Sequence, residues 1–231
     1  MLISLFRYFF TVAGLWLISF QVVAQEVSEE NGFVQYFWPN TDQVSSEGNM
    51  RNNKPDGNWR TYYVTVVIKS EGKRTNFLLD STWNFYNQAG ELTQTIDYKI
   101  GEKSGYSIRY SYRNPQNPGQ STIVSSELYV NGKKEGNSYY YFPTGELKHI
   151  IYYKNGKKQG LSREFSKDST LIAVEEFNDN YLVNKERLNR TDSEGRKQGT
   201  YREYYENGRM KKEEHYLDGQ LHGYFREFNG K

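Results

Sequence analysis

Two stretches of the chain decide the fold, because they repeat one pattern over the same length. Residues 136–160 read GNSYYYFPTGELKHIIYYKNGKKQG, and residues 199–223 read GTYREYYENGRMKKEEHYLDGQLHG. Each starts with a glycine, passes an internal glycine at Gly145 or Gly208, and closes in a second turn before the next starting glycine. That next glycine comes 24 residues after the first in both stretches. A fixed period of this length indicates a repeat protein.

The period extends over most of the chain. With the first residue of each unit as position zero, the units start at Gly32, Gly57, Ser81, Gly105, Gly136, Gly160, Asn184, Gly199 and Gly223, with the unit at Asn184 shortened and the last one partial. Position five is aromatic at Phe37, Tyr62, Tyr86, Tyr110, Tyr141, Phe165, Tyr204 and Phe228, and the shortened unit has Asn189 there. We expect these structural rings to stack on one face of a sheet.

Two further series follow the same period. Position eleven is aliphatic at Ile68, Leu92, Leu147, Leu171 and Met210. Position seventeen is aromatic at Tyr98, Tyr153, Phe177 and Tyr216, and at Tyr129 once the insertion that contains Asn114–Gly119 is subtracted. Asn-Gly and Asp-Gly turns separate short runs rich in Tyr, Phe and Ile, which predicts one β-hairpin per unit. Turns every ten to fifteen residues exclude long helices.

The pattern Gly-x-Trp-x-x-Tyr-Tyr, then Asn-Gly, Leu, Tyr and x-Gly-Lys-x-x-Gly, resembles the MORN repeat in its bacterial 24-residue variant. The resemblance covers residues 32–231 and includes GNWRTYY at Gly57–Tyr63. It implies an all-β fold, an elongated single-layer antiparallel sheet of stacked β-hairpins. It also implies a group whose bacterial members are antitoxin-like proteins or repeat proteins of unassigned role. The chain departs from the repeat at Val64–Asn76, at the Asn-Pro insertion and at Asn184.

The first residues have the pattern of a secretory signal. Arg7 precedes an apolar run from Tyr8 to Phe20, and Val22-Val23-Ala24 supplies small or moderate residues before a cleavage point. The sequence predicts a signal peptide at residues 1–24, a short linker at 25–31 and export to the periplasm, the outer membrane or the medium. Retention of this helix as a membrane anchor is the alternative, although the run is short for a span of about 20 residues.

Composition excludes several classes of chemistry. The chain has no Cys, which excludes disulfides, thiolate nucleophiles and Cys-based metal sites. Its 30 Lys and Arg nearly balance its 28 Asp and Glu, so nucleic acid is not an expected partner. No nucleophile elbow, phosphate loop or zinc-binding motif occurs, and His149, His215 and His222 match no standard metal-ligand spacing. The sequence therefore predicts a non-enzymatic protein without cofactor or metal.

One surface is a candidate binding site. Basic pairs occupy equivalent turns at Lys133, Lys134, Lys157, Lys158, Arg196 and Lys197. Along one edge of the sheet they would form a ladder able to attract anionic lipid, acidic glycan or an acidic protein. The alternative is that turns are simply solvated and that lysine there keeps the array soluble. Lys73-Arg74 lies at approximately the same place in an earlier unit.

The leading functional prediction is an exported protein-interaction scaffold at the cell envelope. Its partner would be another envelope or secreted protein, and self-association through an open sheet end is a further possibility. The alternatives are an antitoxin or immunity-type protein that neutralises a partner toxin, and a lipid- or glycan-binding module that uses the basic turns.

Overall fold

The structure is a computed structural model, and it describes residues 30–112, 119–205 and 209–230. The predicted signal peptide, most of the linker, most of the Asn-Pro insertion and the Gly208 turn lie outside these ranges. Within them the chain is entirely β, without a helix. The predicted all-β fold, a long antiparallel sheet built of hairpins, is confirmed.

Nineteen strands form in the described ranges. They are β1 Gly32–Phe37, β2 Val44–Arg51, β3 Lys54–Tyr62, β4 Ile68–Thr75, β5 Leu78–Tyr86, β6 Leu92–Lys99, β7 Glu102–Ser111, β8 Thr122–Val130, β9 Lys133–Lys134, β10 Gly136–Tyr141, β11 Leu147–Lys154, β12 Lys157–Lys158, β13 Gly160–Phe165, β14 Leu171–Asn178, β15 Tyr181–Arg187, β16 Arg190–Thr191, β17 Lys197–Tyr204, β18 Met210–Leu217 and β19 Gln220–Glu227.

The strands form two sheets in which sequence neighbours pair. The first has 15 strands and runs in chain order from β1 to β15, with the two-residue strands β9 and β12 beside β8 and β11. The second has four strands in the order β16-β17-β18-β19. Consecutive antiparallel pairing is what tight turns between short strands dictate. The boundary between the sheets falls in the shortened unit.

Two-residue turns join one unit to the next. They are Asn52-Asn53, Asn76-Phe77, Ile100-Gly101, Asn131-Gly132, Asn155-Gly156, Asp179-Asn180 and Asp218-Gly219, and both residues of each have φ between 48° and 83°. Two successive left-handed residues define the type I′ hairpin turn, which Asn-Gly and Asp-Gly adopt at least cost. The turns without that dipeptide have the same geometry, so Asn-Gly and Asp-Gly mark only some of the type I′ turns in this sequence.

Longer turns close the hairpin inside each unit. Their fourth residue is left-handed at Val66, Gly90, Gly145 and Ser169, with φ of 59°, 80°, 103° and 64°. A backbone hydrogen bond closes each, as from Phe142 N to Glu146 O at 2.8 Å. Glycine fits this conformation without strain, whereas a β-branched residue such as Val66 does not.

The strand register explains the aromatic and aliphatic series. The aromatic at position five lies opposite the aliphatic at position eleven in every regular pair, for example Tyr141 opposite Leu147 and Phe165 opposite Leu171. Position zero, with positive φ, lies opposite position seventeen, so that Gly136 faces Tyr153. A ring covers a glycine across the sheet at one pair, and a ring packs on an aliphatic chain at the other. The period is therefore a period of cross-strand pairs.

The buried rings include tryptophans at position two as well as Tyr153 and Phe177 at position seventeen. Trp59 and Trp83 are 8% and 4% exposed, and together with Met50 they form a buried hydrophobic cluster. Glycines make room for them, since a Cβ at Gly48 would lie 2.3 Å from a ring carbon of Trp59, and one at Gly72 2.4 Å from Trp83. The rings at position five are half-buried or exposed, and two of their hydroxyls donate to Glu47 and Glu71.

Candidate interaction surfaces

The predicted basic residues lie along a hydrogen-bonded edge. In most of the two-residue turns the second residue donates its N–H to a backbone oxygen in the preceding unit, whereas Phe77 N–H donates to Asp56 Oδ1 at 3.5 Å. These bonds run from Gly132 to Lys103, Gly156 to Lys134, Asn180 to Lys158 and Gly219 to Lys197, at 2.9–3.0 Å. Consecutive units are two strands, or about 10 Å, apart. Lys103, Lys134 and Lys158 therefore recur in three successive units of the first sheet, whereas Lys197 lies in the second sheet.

The second lysine of each pair lies over an aromatic ring of the next unit along the chain. The ammonium-to-centroid distances are 4.9 Å for Lys134 over Tyr153, 4.8 Å for Lys158 over Phe177 and 4.5 Å for Lys197 over Tyr216. Lys103 makes the same contact with Tyr129 at 5.0 Å. Cation–π contacts of this length contribute about 0.5–1 kcal/mol at exposed sites. Lys103 belongs to this row although it is not part of a basic pair in the sequence.

The first residue of each pair has a different environment. Lys157 pairs with Asp179 at 3.2 Å, and Arg196 pairs with Asp192 at 2.8 Å and Glu194 at 3.2 Å. Lys133 is exposed. The structure thus separates the six predicted residues into a row over rings and a row in solvent, and carboxylates neutralise part of both rows. Lys73 and Arg74 lie in β4 before the turn Asn76-Phe77, whereas Lys133-Lys134 and Lys157-Lys158 follow their turns, so Lys73 and Arg74 do not belong to this ladder.

One member of the ladder belongs to a buried polar network. Glu127, 6% exposed, accepts hydrogen bonds from Lys134 Nζ at 2.5 Å and Tyr140 Oη at 2.7 Å. Burial opposes ionisation of Glu127, but these bonds and the Lys134 charge outweigh it and hold the pKa of this carboxyl below its ordinary value. Burial, followed by the Glu127 charge, raises the pKa of Tyr129 to about 12. The network keeps Lys134 away from external anions.

The shortened unit joins the two sheets through one side chain. Asn189 donates Nδ2 hydrogen bonds to Leu171 O at 2.8 Å and Arg202 O at 3.2 Å, and its Oδ1 accepts from Arg202 N at 2.8 Å. Its backbone N–H donates to Thr200 O at 2.9 Å. Its neighbour Leu188 is fully buried. An asparagine side chain thus supplies bonds that a strand makes elsewhere in the array.

A charged pair also crosses this joint. The guanidinium of Arg202 bonds Glu186 of β15 at 2.5 Å and Glu213 of β18 at 2.6 Å. Burial disfavours the charged guanidinium, but hydrogen bonds to both carboxylates outweigh this and raise the pKa of Arg202. Because Arg202 bonds a carboxylate in each sheet, it fixes one end of β15 against the second sheet.

The rest of β15 is open to solvent. Tyr181, Leu182 and Val183 are 77%, 52% and 63% exposed. β15 ends the first sheet, and no strand in the described ranges pairs with its outer edge. Two further strands carry several exposed apolar side chains. These are β1, with Phe33, Tyr36 and Phe37, and β19, with Leu221, Tyr224 and Phe225.

Two depressions in the surface contain mostly paired charges. One of 440 Å³ lies over β2 to β5, with the Arg60–Glu71 ion pair of 3.1 Å in it. Another of 200 Å³ lies at the joint and contains Asn189, Lys212 and Glu214, the last two ion-paired at 2.7 Å. Neither combines an activated nucleophile with a general base.

The histidines do not assemble a metal site in the described part of the chain. His149 lies 3.5 Å from Glu164, and burial lowers its pKa. The rings of His215 and His222 are 6.5 Å apart. No group of three His, Cys, Asp or Glu side chains suited to a metal occurs among the described residues.

Comparison with models of protein families and with curated proteins finds no match to this chain. No helix long and apolar enough to cross a membrane occurs in the part of the chain that the structure describes.

Sequence reasoning missed three features of these surfaces. Glu127 and Lys134 form a buried pair that only the strand register brings together. Asn189 was visible as the residue that breaks the aromatic series, yet its bonds to two sheets were not deducible from that break. The exposed run Tyr181–Val183 reads as an ordinary apolar strand until its missing neighbour is known.

Proposed function

We propose that the chain is a non-enzymatic interaction scaffold of the MORN-like type, which is exported and binds a partner protein at the cell envelope. The observation that carries the proposal is the exposure of Tyr181, Leu182 and Val183 on a strand whose outer edge lacks a partner among the described residues. Contiguous exposed apolar side chains mark protein-interaction sites more often than catalytic ones. The signal-like residues 1–24 support the location.

The basic turns are a weaker basis for function. Lys134 is committed to Glu127, and Lys157 and Arg196 are ion-paired with neighbouring carboxylates. An anionic lipid or glycan would have to displace these partners. Binding through apolar side chains displaces only water, so a protein partner is the better-supported ligand.

The test is capture of a partner by the full chain, tagged at its C-terminus, from fractionated producing cells. The proposal expects the chain in the envelope or medium fraction, without residues 1–24, together with one protein in a fixed stoichiometry. A second tagged chain of unrelated fold, exported by the same signal, is the control. Recovery in the cytoplasm with Met1 intact, or recovery alone from every fraction, would contradict it.

A further inference from the structure

The unit at Asn184 is shorter than its neighbours by the length of one strand. The spacing from Asn184 to Gly199 is 15 residues against a regular 24, and regular strands of the array are mostly six to ten residues long. In the regular part, each long strand from β2 to β14 has a partner on both sides. β15 has β14 on one side only. The deletion thus leaves an opening inside the array, away from both of its ends.

The opening is accessible along half of β15. The Arg202–Glu186 ion pair closes the end near Leu188, whereas Tyr181, Leu182 and Val183 at the other end are more than half exposed. No backbone hydrogen bond from the outer edge of Tyr181–Lys185 to another described segment is present. Alternate backbone groups of an edge strand point outward and are free to bond an added strand.

Unpaired cations lie beside the closed end. Arg187 and Arg190 are both exposed, and neither has a carboxylate partner among the described residues. Nearby carboxylates are already engaged, Glu186 with Arg202 and Glu175 with Lys185 at 2.7 Å. The edge of β15 is therefore apolar at its start and positive at its end.

We propose that the open edge of β15 binds an extended segment of a partner protein as an added antiparallel strand, and that this segment is acidic at its N-terminal end and alternately apolar after it. In an antiparallel pair the N-terminus of the added strand lies opposite the end of β15, so its acidic residues face Arg187 and Arg190. Its apolar residues then pack on those side chains of Tyr181, Leu182 and Val183 that share their face of the sheet. Main-chain bonds supply affinity, and the two side-chain groups supply direction. This inference rests on the proposed interaction function and names its site.

The probe is a labelled peptide, acetyl-EDEVTITVT-amide, titrated into the full chain and followed by fluorescence anisotropy. The reversed-sequence probe acetyl-TVTITVEDE-amide has the same composition, but its acidic residues lie at the other end and would be placed beside Tyr181. We expect the first probe to bind at least about tenfold more tightly than the second, a difference of about 1.4 kcal/mol. It should also slow amide exchange in Tyr181–Lys185 and nowhere else along the described strands.

Two exposed substitutions locate the site without disturbing the core. Arg187→Glu should weaken binding of the first probe about tenfold. It should strengthen binding of the reversed-sequence probe by a smaller factor, because charge pairing sets direction. Val183→Lys places a charge on the open edge and should weaken both probes. The matched controls are Lys99→Glu and Val130→Lys, at exposed positions of β6 and β8, which have partners on both sides. The controls should bind like the parent chain.

Three results would overturn the assignment. They are equal binding by site and control variants, protection of β1 or β19 in place of β15, and a parent chain whose mass in solution is that of a dimer held through β15. Capture of an envelope partner that survives Arg187→Glu and Val183→Lys would leave the interaction function standing and remove this site. Probe binding at β15 with no captured partner would leave the site standing and remove the function.

Discussion

The regular repeats and the shortened repeat satisfy the backbone hydrogen bonds at their strand edges in different ways. From β2 to β14 the outward backbone groups of each long strand are taken up by the next strand. At the shortened repeat, the side chain of Asn189 bonds Leu171 in one sheet and Arg202 in the other. The array therefore tolerates a missing strand where one polar side chain makes the backbone hydrogen bonds between the two sheets. The rest of the outer edge of β15 stays unpaired and is available for binding.

The largest expected effect lies in the regular part. Trp83 is buried between strands and donates Nε1–H to Lys73 O at 2.9 Å, so Trp83→Ala should lower the free energy of unfolding by about 3–5 kcal/mol. Chemical denaturation measures it. Gly72→Ala should also destabilise the parent chain, because its Cβ would collide with the Trp83 ring.

A double-mutant cycle checks this packing. Adding Gly72→Ala to Trp83→Ala should cost less than it does in the parent chain, since the ring that it meets is gone. Equal costs in both backgrounds would mean that the ring and the glycine do not share a site.

The joint should be the next most sensitive point. Asn189→Ala removes the side-chain bonds between the sheets and leaves buried backbone groups of Leu171 and Arg202 without partners, at a cost of about 2–3 kcal/mol. Asn184→Ala, the same exchange at an exposed residue of the same unit, should change stability by less than about 0.5 kcal/mol. The two variants are compared by urea melts. Similar small losses in both would show that the joint does not depend on Asn189.

The buried charge of the regular part makes stability depend on pH. The pKa of Glu127 is lower in the folded chain than in the unfolded one, so its contribution is present above the unfolded value near 4.5 and is lost as pH falls through the folded value. Glu127→Gln should therefore cost about 1–3 kcal/mol at pH 7. The difference between variant and parent should shrink steadily below about pH 4.5.

Urea melts at a series of pH values measure this difference. Lys99→Gln, which removes an exposed charge without adding a carboxyl that titrates in this range, serves as the control and should show no such convergence. A constant difference between Glu127→Gln and the parent from pH 7 to pH 3 would contradict the assigned role of the carboxylate.

The smallest effect is a gain. Val66 adopts a left-handed conformation that Gly90 and Gly145 adopt in equivalent turns, and its side chain is 61% exposed. Val66→Gly should raise stability by up to about 1 kcal/mol by removing steric strain at this turn. Thermal melting detects it, with Val130→Gly as the strand control, which should destabilise. A lower melting temperature for Val66→Gly would indicate that the valine packs usefully.

Periodicity was enough to predict the fold because each cross-strand pair leaves its own trace in the sequence. Tyr141 and Leu147 are opposite partners, and so are Gly136 and Tyr153, so their spacing along the chain encodes the register. The core at position two was not predictable in the same way. Trp59 and Trp83 hold that position in two units, but Ser107, Ser138 and Ser162, each at most 1% exposed, hold it later. Position two stays buried while its residue type changes, so no repeated residue marks it in the sequence.

The candidate site was predictable only in part. Basic pairs identified the turn edge, but the pattern did not separate Lys157, in solvent, from Lys158, over Phe177. That distinction depends on strand direction and on which face carries the ring at position seventeen. The outer edge of β15 is open because the following strands pair with one another and not with β15. No local residue pattern contains that information.

Residue-resolved hydrogen exchange of the full chain, with β14 as the internal reference for β15, tests the account most directly. β14 is bonded on both sides, so its amides should exchange slowly throughout. In β15 the amides directed at β14 should be slow, and the outward ones between Tyr181 and Lys185 should exchange nearly as fast as those of an unprotected segment. Uniformly slow exchange along β15, equal to that of β14, would show that its outer edge is already occupied and would contradict the open joint.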